Sequence, residues 1–231
     1  MSAMLLVAIP VLGRPHRAAT IAASVHDNTT LPHRLVFVCT EGDDDQIRAC
    51  VEALGDDDGV LFIDAGHTGE YARKINLAFQ AGDEPFVFLG ADDLEFQPGW
   101  DVAALEVADQ TGAGVVGTND QANSAVIAGL HSTHSLVRRS YIDECGGFVR
   151  GEGSVYFEGY SHQFVDNELV ATAMARGCYA HAHRSRVIHL HPLWRTAPMD
   201  GTYERALADG ATDRLLFESR RGLWENGARV V

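Results

Sequence analysis

The sequence predicts an α/β protein built on a mostly parallel central sheet with helices on both faces. Short, solidly apolar runs alternate with segments of helical periodicity through the first half of the chain. That is the pattern of strands buried on both sides and joined by crossover helices. A second observation agrees: Phe86-Val87-Phe88-Leu89 runs straight into Gly90-Ala91-Asp92-Asp93. Open α/β sheets bind ligands outside the carboxyl ends of their strands, and two carboxylates stand at such an end. The length of 231 residues suits one large domain of this kind.

The elements follow in order. Residues 4–9 form a first apolar strand, ended by Pro10 and a Gly13-Arg14-Pro15 turn, and Pro15 suits the first turn of a helix reaching about residue 26. Residues 35–39 are a second strand, and 43–54 a helix with acids near its N-terminus, where they favour the dipole. Residues 60–63 are a third strand, followed by Gly66-His67-Thr68-Gly69 and a helix over 70–81 with Ile75, Ala78 and Phe79 on one face. Residues 86–89 are the fourth strand and 98–109 a further helix. Beyond residue 112 the rhythm loosens, with strands expected at 115–116, 135–137, 178–182 and 187–190. The clearest helix there, 165–176, is closed by Gly177, and the tail reads as two helices, 201–209 and 213–221.

Composition narrows the function. The net charge is −14 and is uneven: residues 1–130 hold 6 basic and 20 acidic groups, and residues 131–231 hold 12 of each. Such a chain lacks the basic face expected of a protein that lives on phosphate-backbone attraction. Seven of the eleven histidines fall between His131 and His191, which points to a site in that half. The four cysteines are scattered without a Cys-x-x-Cys pair, so they read as small buried hydrophobes in a reducing compartment, here the cytoplasm. No run approaches the roughly 20 apolar residues of a membrane span. Gly112-Ala113-Gly114-Val115-Val116-Gly117 matches G-x-G-x-x-G but follows a helix and opens a strand, the reverse of a dinucleotide site. Asp43-Asp44-Asp45 and Asp56-Asp57-Asp58 read as capping and turn acids, because consecutive side chains diverge.

Five segments in a fixed order carry a family resemblance: "VAIPVLGRPHRAATIAASV", "GHTGEYARKINLAFQAG", "FVFLGADDLEFQPGW", "ECGGF" and "VDNELVATAMARG". Together, over about residues 4–191, they resemble the GT-A glycosyltransferases, in particular family 2-like nucleotide-sugar transferases. The short length and the "HLHP" ending are also similar to transferases of actinobacterial phages, which would place the protein in a host cytoplasm. The resemblance implies a Rossmann-like GT-A domain. Its nucleotide-sugar half covers 1–118, its acceptor half 119–199, and a helical tail 200–231.

The resemblance also implies roles. The family pattern reads Asp-Ala-Asp-Asp where this chain reads Gly90-Ala91-Asp92-Asp93, so Asp92 is the implied metal ligand. Gly90 is expected to give the nucleotide room, since a backbone without Cβ can be approached closely. His189 and His191, two apart in a strand and so on one face, are candidate partners of the ion, with the choice between them open. Imidazole favours manganese, with magnesium the alternative. Pro10, Arg14, Thr40, Glu41, Arg73, Asn76 and Ala91 are the implied nucleotide contacts, and Lys74 reads as surface charge. Asp166 matches the general base of inverting members and Val165 replaces the acid before it. Glu168 faces elsewhere on that helix, and Tyr160 and His162 read as acceptor contacts.

The reaction so implied is metal-dependent transfer of a hexosyl group from a nucleoside-diphosphate sugar, uridine-linked by preference, to a hydroxyl. The acceptor would be a hydroxymethylated DNA base, a protein or a glycan. Two alternatives stand beside it. Gly90 and Val165, each in place of a family acid, suit a non-catalytic nucleotide-sugar-binding module. A sugar nucleotidylyltransferase would need a Gly-rich basic loop after the first strand, and "PVLGRPHRA" has a single glycine.

Overall fold

A computed structural model describes residues 4–66 and 70–227. His67, Thr68 and Gly69, the end of the turn expected after the third strand, lie outside the described residues. Four strands, β1 (Leu5–Pro10), β2 (His33–Thr40), β3 (Gly59–Ile63) and β4 (Phe86–Leu89), pair in parallel. Alternate side chains of β1 enter opposite cores. Leu5, Val7 and Ile9 pack with helices α1 (Ala18–Asn28), α2 (Asp44–Glu52) and α4 (Trp100–Thr111). Leu6 and Ala8 face α3 (Glu70–Ala81), α6 (Arg139–Cys145) and α7 (Val165–Ala175). Both faces of the sheet are therefore covered, which is why these strands are apolar without alternation. Each fully buried Leu or Phe contributes about 1.5–3 kcal/mol relative to exposure.

The other strands are β5 (Leu94–Phe96), β6 (Val115–Asn119), β7 (Ser135–Arg138) and β8 (Tyr179–His189). The sheet runs β3-β2-β1-β4-β7-β6-β8-β5. β7 is antiparallel to both β4 and β6, β6 is parallel to β8, and β5 is antiparallel to β8. The chain steps outward from β1 through β2 to β3, then returns to lay β4 on the other side of β1. That reversal opens a crevice at the carboxyl ends of β1 and β4.

Several expectations need correction. Residues 178–182 and 187–190 do not form two strands but belong to one, β8, with an irregularity in its pairing at Thr118/Asn119. β5 has no strong sequence signature; it exists because it pairs with the end of β8. Two short helices, α5 (Ser124–Ile127) and α6, fill the stretch read as irregular. The tail is one helix, α8 (Gly201–Gly227), and not two. Gly210 does not break it, because the position packs on Gln163, whose Oε1 would lie 2.7 Å from an added Cβ. α8 also ties down the segment before α7. Asp213 accepts from the backbone N–H groups of Ser161, His162 and Gln163 at 2.7, 2.9 and 2.8 Å. Among the described residues no helix is long and apolar enough to cross a membrane.

Candidate functional site

A cavity of about 1210 Å³ lies over the crevice, lined on one side by Pro10, Arg14 and Asp92 and on the other by His131, His162 and Asp166. It exceeds the roughly 300–1,000 Å³ usual for one small ligand. The strand-end acids diverge, as neighbours must, and the pairing of β5 with β8 decides where each goes. Leu94 sits opposite His189, and Leu190 N–H donates to Asp93 O at 2.8 Å. This register brings Asp93 Oδ2 to 3.4 Å from His189 Nε2.

His134 joins them from the turn before β7. Asp93, His134 and His189 each offer a ligand atom, all within 4.8 Å of one another. Nδ1 of His134 lies 3.0 Å from Leu89 O, which fixes the tautomer with Nε2 unprotonated. Burial, reinforced by His189, pushes His134 down to about 4, so the ring is neutral and able to ligate. Burial alone would raise Asp93, but the contact with His189, supported by His134 and Tyr203, holds its carboxyl well below the usual range. Among the described residues, three buried atoms here have no hydrogen-bond partner: Asp93 Oδ1, His134 Nε2 and His189 Nδ1. Buried polar atoms are rarely left unpaired, and one carboxylate and two imidazoles, each offering an atom within 4.8 Å of the others, fit a divalent cation.

Asp92 turns the other way. Its Oδ1 accepts from Arg14 Nη1 at 2.8 Å, and the same guanidinium forks onto both oxygens of Asp200 at 2.9 Å and lies over the Tyr203 ring. Burial and the neighbouring Asp93 push Asp92 up to about 6 against the pull of Arg14. Tyr203 Oη, from the first turn of α8, lies 2.9 Å from Asp93 Oδ2. Lys74 is buried and not on the surface: its Nζ donates to Val11 O at 2.7 Å and it lines the cavity. Tyr71, one turn earlier on α3, donates to Gly90 O at 3.0 Å.

Elsewhere on the cavity wall, Asp166 stands in the first turn of α7. Its Oδ2 lies 3.2 Å from His131 Nε2 and its Oδ1 accepts from Asn167 N–H at 2.9 Å. His162 lines the cavity. Tyr160 does not: it is fully buried and donates to Glu168 Oε2 at 2.7 Å. Glu168 is held in turn by both arms of Arg220, at 2.7 and 2.8 Å, and is a structural anchor for α8.

The remaining candidates separate. Pro10 and Ala91 line the cavity. Thr40 ends β2 and Glu41 follows it, both outside the lining, with Glu41 N–H spent on Ile63 O at 2.8 Å. Arg73 points away, to Asp64 Oδ1 at 2.6 Å. Asn76 uses all its bonding capacity on protein, giving to Tyr156 O and Glu158 and accepting from Val155 and Tyr156 N–H groups. Gly90 makes room for β1 and not for a ligand. A Cβ there would lie 2.9 Å from Ala8 O and 2.5 Å from Ile9 Cδ1. The family acid at this position has no space. His191 stays outside the Asp93 cluster, because its Nδ1 accepts from Leu193 N–H at 3.2 Å and its ring packs on Tyr203. Sequence reasoning missed Asp93 and His134 as a pair, Lys74, His131, and the Asp200 and Tyr203 contacts. The histidine-rich stretch from His131 was the signal for two of them.

No protein-family model matches the sequence, and no curated protein matches it. Solved structures do. Glucosyl-3-phosphoglycerate synthase from Mycobacterium tuberculosis, in complex with Mn2+, uridine diphosphate and phosphoglyceric acid, is similar at a TM-score of 0.65 and 14% identity, over 95% of this chain and 79% of that one. A mannosyltransferase from Pyrobaculum calidifontis, in complex with GDP-Man and Mn2+, is similar at 0.62 and 12%, over 99% and 71%. TarS from S. aureus is similar at 0.61 and 12%, over 95% and 74%. At this identity the shared property is the fold, and the chain has the GT-A glycosyltransferase fold.

Proposed function

We propose that this chain is a divalent-cation-dependent glycosyltransferase that moves a sugar from a nucleoside-diphosphate donor to a hydroxyl. One observation carries the reading: Asp93, His134 and His189 each offer a ligand atom within 4.8 Å of the others at the strand-end crevice of a GT-A fold. These three residues, in place of the Asp92, His189 and His191 implied by the resemblance, would hold the ion. Manganese is favoured by the two imidazoles, and magnesium is the alternative. Bound there, a cation neutralises charge that builds on the leaving diphosphate as the sugar–oxygen bond breaks.

The chain's own groups do the rest. Arg14 and Lys74 add positive charge beside the acids on the donor side, and Asp92 is left to meet the donor through the Arg14 corner. A uridine-linked donor is supported by the synthase structure that holds uridine diphosphate, and a guanosine-linked one by the mannosyltransferase structure that holds GDP-Man. The acceptor hydroxyl is assigned to the Asp166 corner of the cavity, where a single displacement with inversion places its base. A hydroxymethylated DNA base, a protein and a glycan all offer such a hydroxyl, and the net charge of −14 disfavours DNA.

A thermal-shift screen of UDP-glucose, UDP-galactose and GDP-mannose, each with manganese or with chelator, tests the reading. A donor at 100 times its Kd adds about 2.7 kcal/mol. For a protein of this size that raises Tm by about 5–10 °C. The rise should need the metal. No shift with any of the three, or equal shifts in chelator, would contradict it.

A further inference from the structure

We propose that His131 Nδ1 takes the proton of the acceptor hydroxyl, and that Asp166 is a positioning residue which orients His131 and stabilises the imidazolium. The proposal rests on the glycosyl-transfer reading and names the base within it. Its first ground is geometric. Both oxygens of Asp166 are engaged, Oδ2 at 3.2 Å from His131 Nε2 and Oδ1 with Asn167 N–H at 2.9 Å. His131 Nδ1, by contrast, has no hydrogen-bond partner among the described residues, and His131 lines the same cavity as Asp166. The backbone is fixed as well, since Tyr179 Oη donates to His131 O at 3.0 Å.

The second ground is chemical. A carboxylate that accepts from one imidazole nitrogen leaves the other as the acceptor, which is the logic of carboxylate–histidine bases on unrelated folds. The groups facing His131 are Asp166 from α7, Asp120 from the loop after β6, and the Tyr179 hydroxyl from β8. Burial opposes the imidazolium, but Asp166 and then Asp120 outweigh it and raise His131 above the ordinary value. Asp166 is correspondingly lowered, against burial, by His131. A carboxylate held low is a weak base near neutrality, and the pair's proton-binding capacity there belongs to the imidazole.

The step balances as one displacement. The acceptor oxygen forms a bond to the anomeric carbon, and its proton passes to His131 Nδ1. The bond from that carbon to the diphosphate oxygen breaks, and its electron pair leaves with the nucleoside diphosphate. The imidazolium then stands against Asp166 and returns its proton to solvent.

The signs follow. The neutral ring is the active form, so kcat/KM should rise with pH, with a limb above the ordinary imidazole value of about 6.5. The probe is UDP-glucose with manganese and water as acceptor, read as UDP release. His131→Gln should lower the rate by about 100- to 10,000-fold and erase the limb. Asp166→Asn should lower it less and move the limb down, because the group that raises His131 is gone. Imidazole NMR gives a readout independent of turnover: the His131 resonance should titrate above about 6.5 in the wild type and lower in Asp166→Asn. A folded His131→Gln protein that keeps the rate and the limb would overturn the proposal. So would a His131 titration indifferent to Asp166→Asn. Thermal melts confirm that both variants fold. Absence of nucleoside-diphosphate release from the wild type with UDP-glucose, UDP-galactose and GDP-mannose alike, beside the expected NMR result, would instead remove the glycosyl-transfer reading and the base role with it.

Discussion

Asp92→Asn and Asp93→Asn should differ sharply in manganese affinity, in the order opposite to that implied by the family pattern. The two side chains are isosteric, adjacent and both nearly buried, so position alone separates them. Asp93 offers a carboxylate oxygen within 4.8 Å of the ligand atoms of His134 and His189, and its Oδ1 has no hydrogen-bond partner among the described residues. Asp92 Oδ1 is already spent on Arg14 at 2.8 Å. Asp93 is the only anion of the three ligands, and an amide keeps its shape while losing that charge. Outer-shell changes at metal sites cost about 10- to 100-fold in affinity, so loss of a ligating charge should cost at least about 100-fold. That is about 2.7 kcal/mol. Asp92→Asn should stay within about tenfold, since Arg14 keeps Asp200. Titration of each purified variant with Mn2+, followed by calorimetry or by the loss of the free-ion paramagnetic signal, measures both. A folded Asp93→Asn protein with wild-type affinity, beside an Asp92→Asn protein without it, would refute the assignment.

Two further changes test the scaffold that carries the site. Gly90→Ala puts a Cβ 2.5 Å from Ile9 Cδ1 and 2.9 Å from Ala8 O, and overpacking of this sort costs about 1–3 kcal/mol. The urea midpoint should fall with an unchanged m-value, and Gly90→Asp should lower it further. Asp213→Ala strands the N–H groups of Ser161, His162 and Gln163. It should cost about 2–3 kcal/mol and speed hydrogen exchange in 161–163, while β1 and β4 keep their protection.

The first half of the fold was legible because β1, β2 and β4 are buried on both faces and write themselves as unbroken apolar runs. The same holds for α7, whose helical run is closed by Gly177 at φ 69°. β5 was not legible, because three residues acquire strand character only by pairing with β8. That one pairing also decides whether Asp92 or Asp93 faces the histidines, so the ligand choice inherited the gap. α3 was read in the right place but on the wrong side. The face carrying Tyr71 and Lys74, three apart and hence neighbours on a helix, meets the cavity, while Arg73 serves Asp64 and Asn76 the 155–156 backbone and the Glu158 side chain. His134 lay in a histidine-rich stretch, but its partners Asp93 and His189 are distant in sequence and no local spacing joins them. The tail read as two helices, and Gly210, in the gap left between them, packs on Gln163, a contact that only the folded chain supplies.

The central claim is that the Asp93, His134 and His189 cluster serves turnover of a nucleotide sugar. The most direct test is single-turnover release of nucleoside diphosphate from a bound donor, with manganese, with chelator, and with manganese restored. The account predicts release with manganese, at least about 100-fold slower release in chelator, and full recovery on adding the ion back, with His134→Ala insensitive to that addition. Donor that binds but is never released as nucleoside diphosphate under any of these conditions would contradict it, and would identify the chain as a nucleotide-sugar-binding module on a GT-A fold.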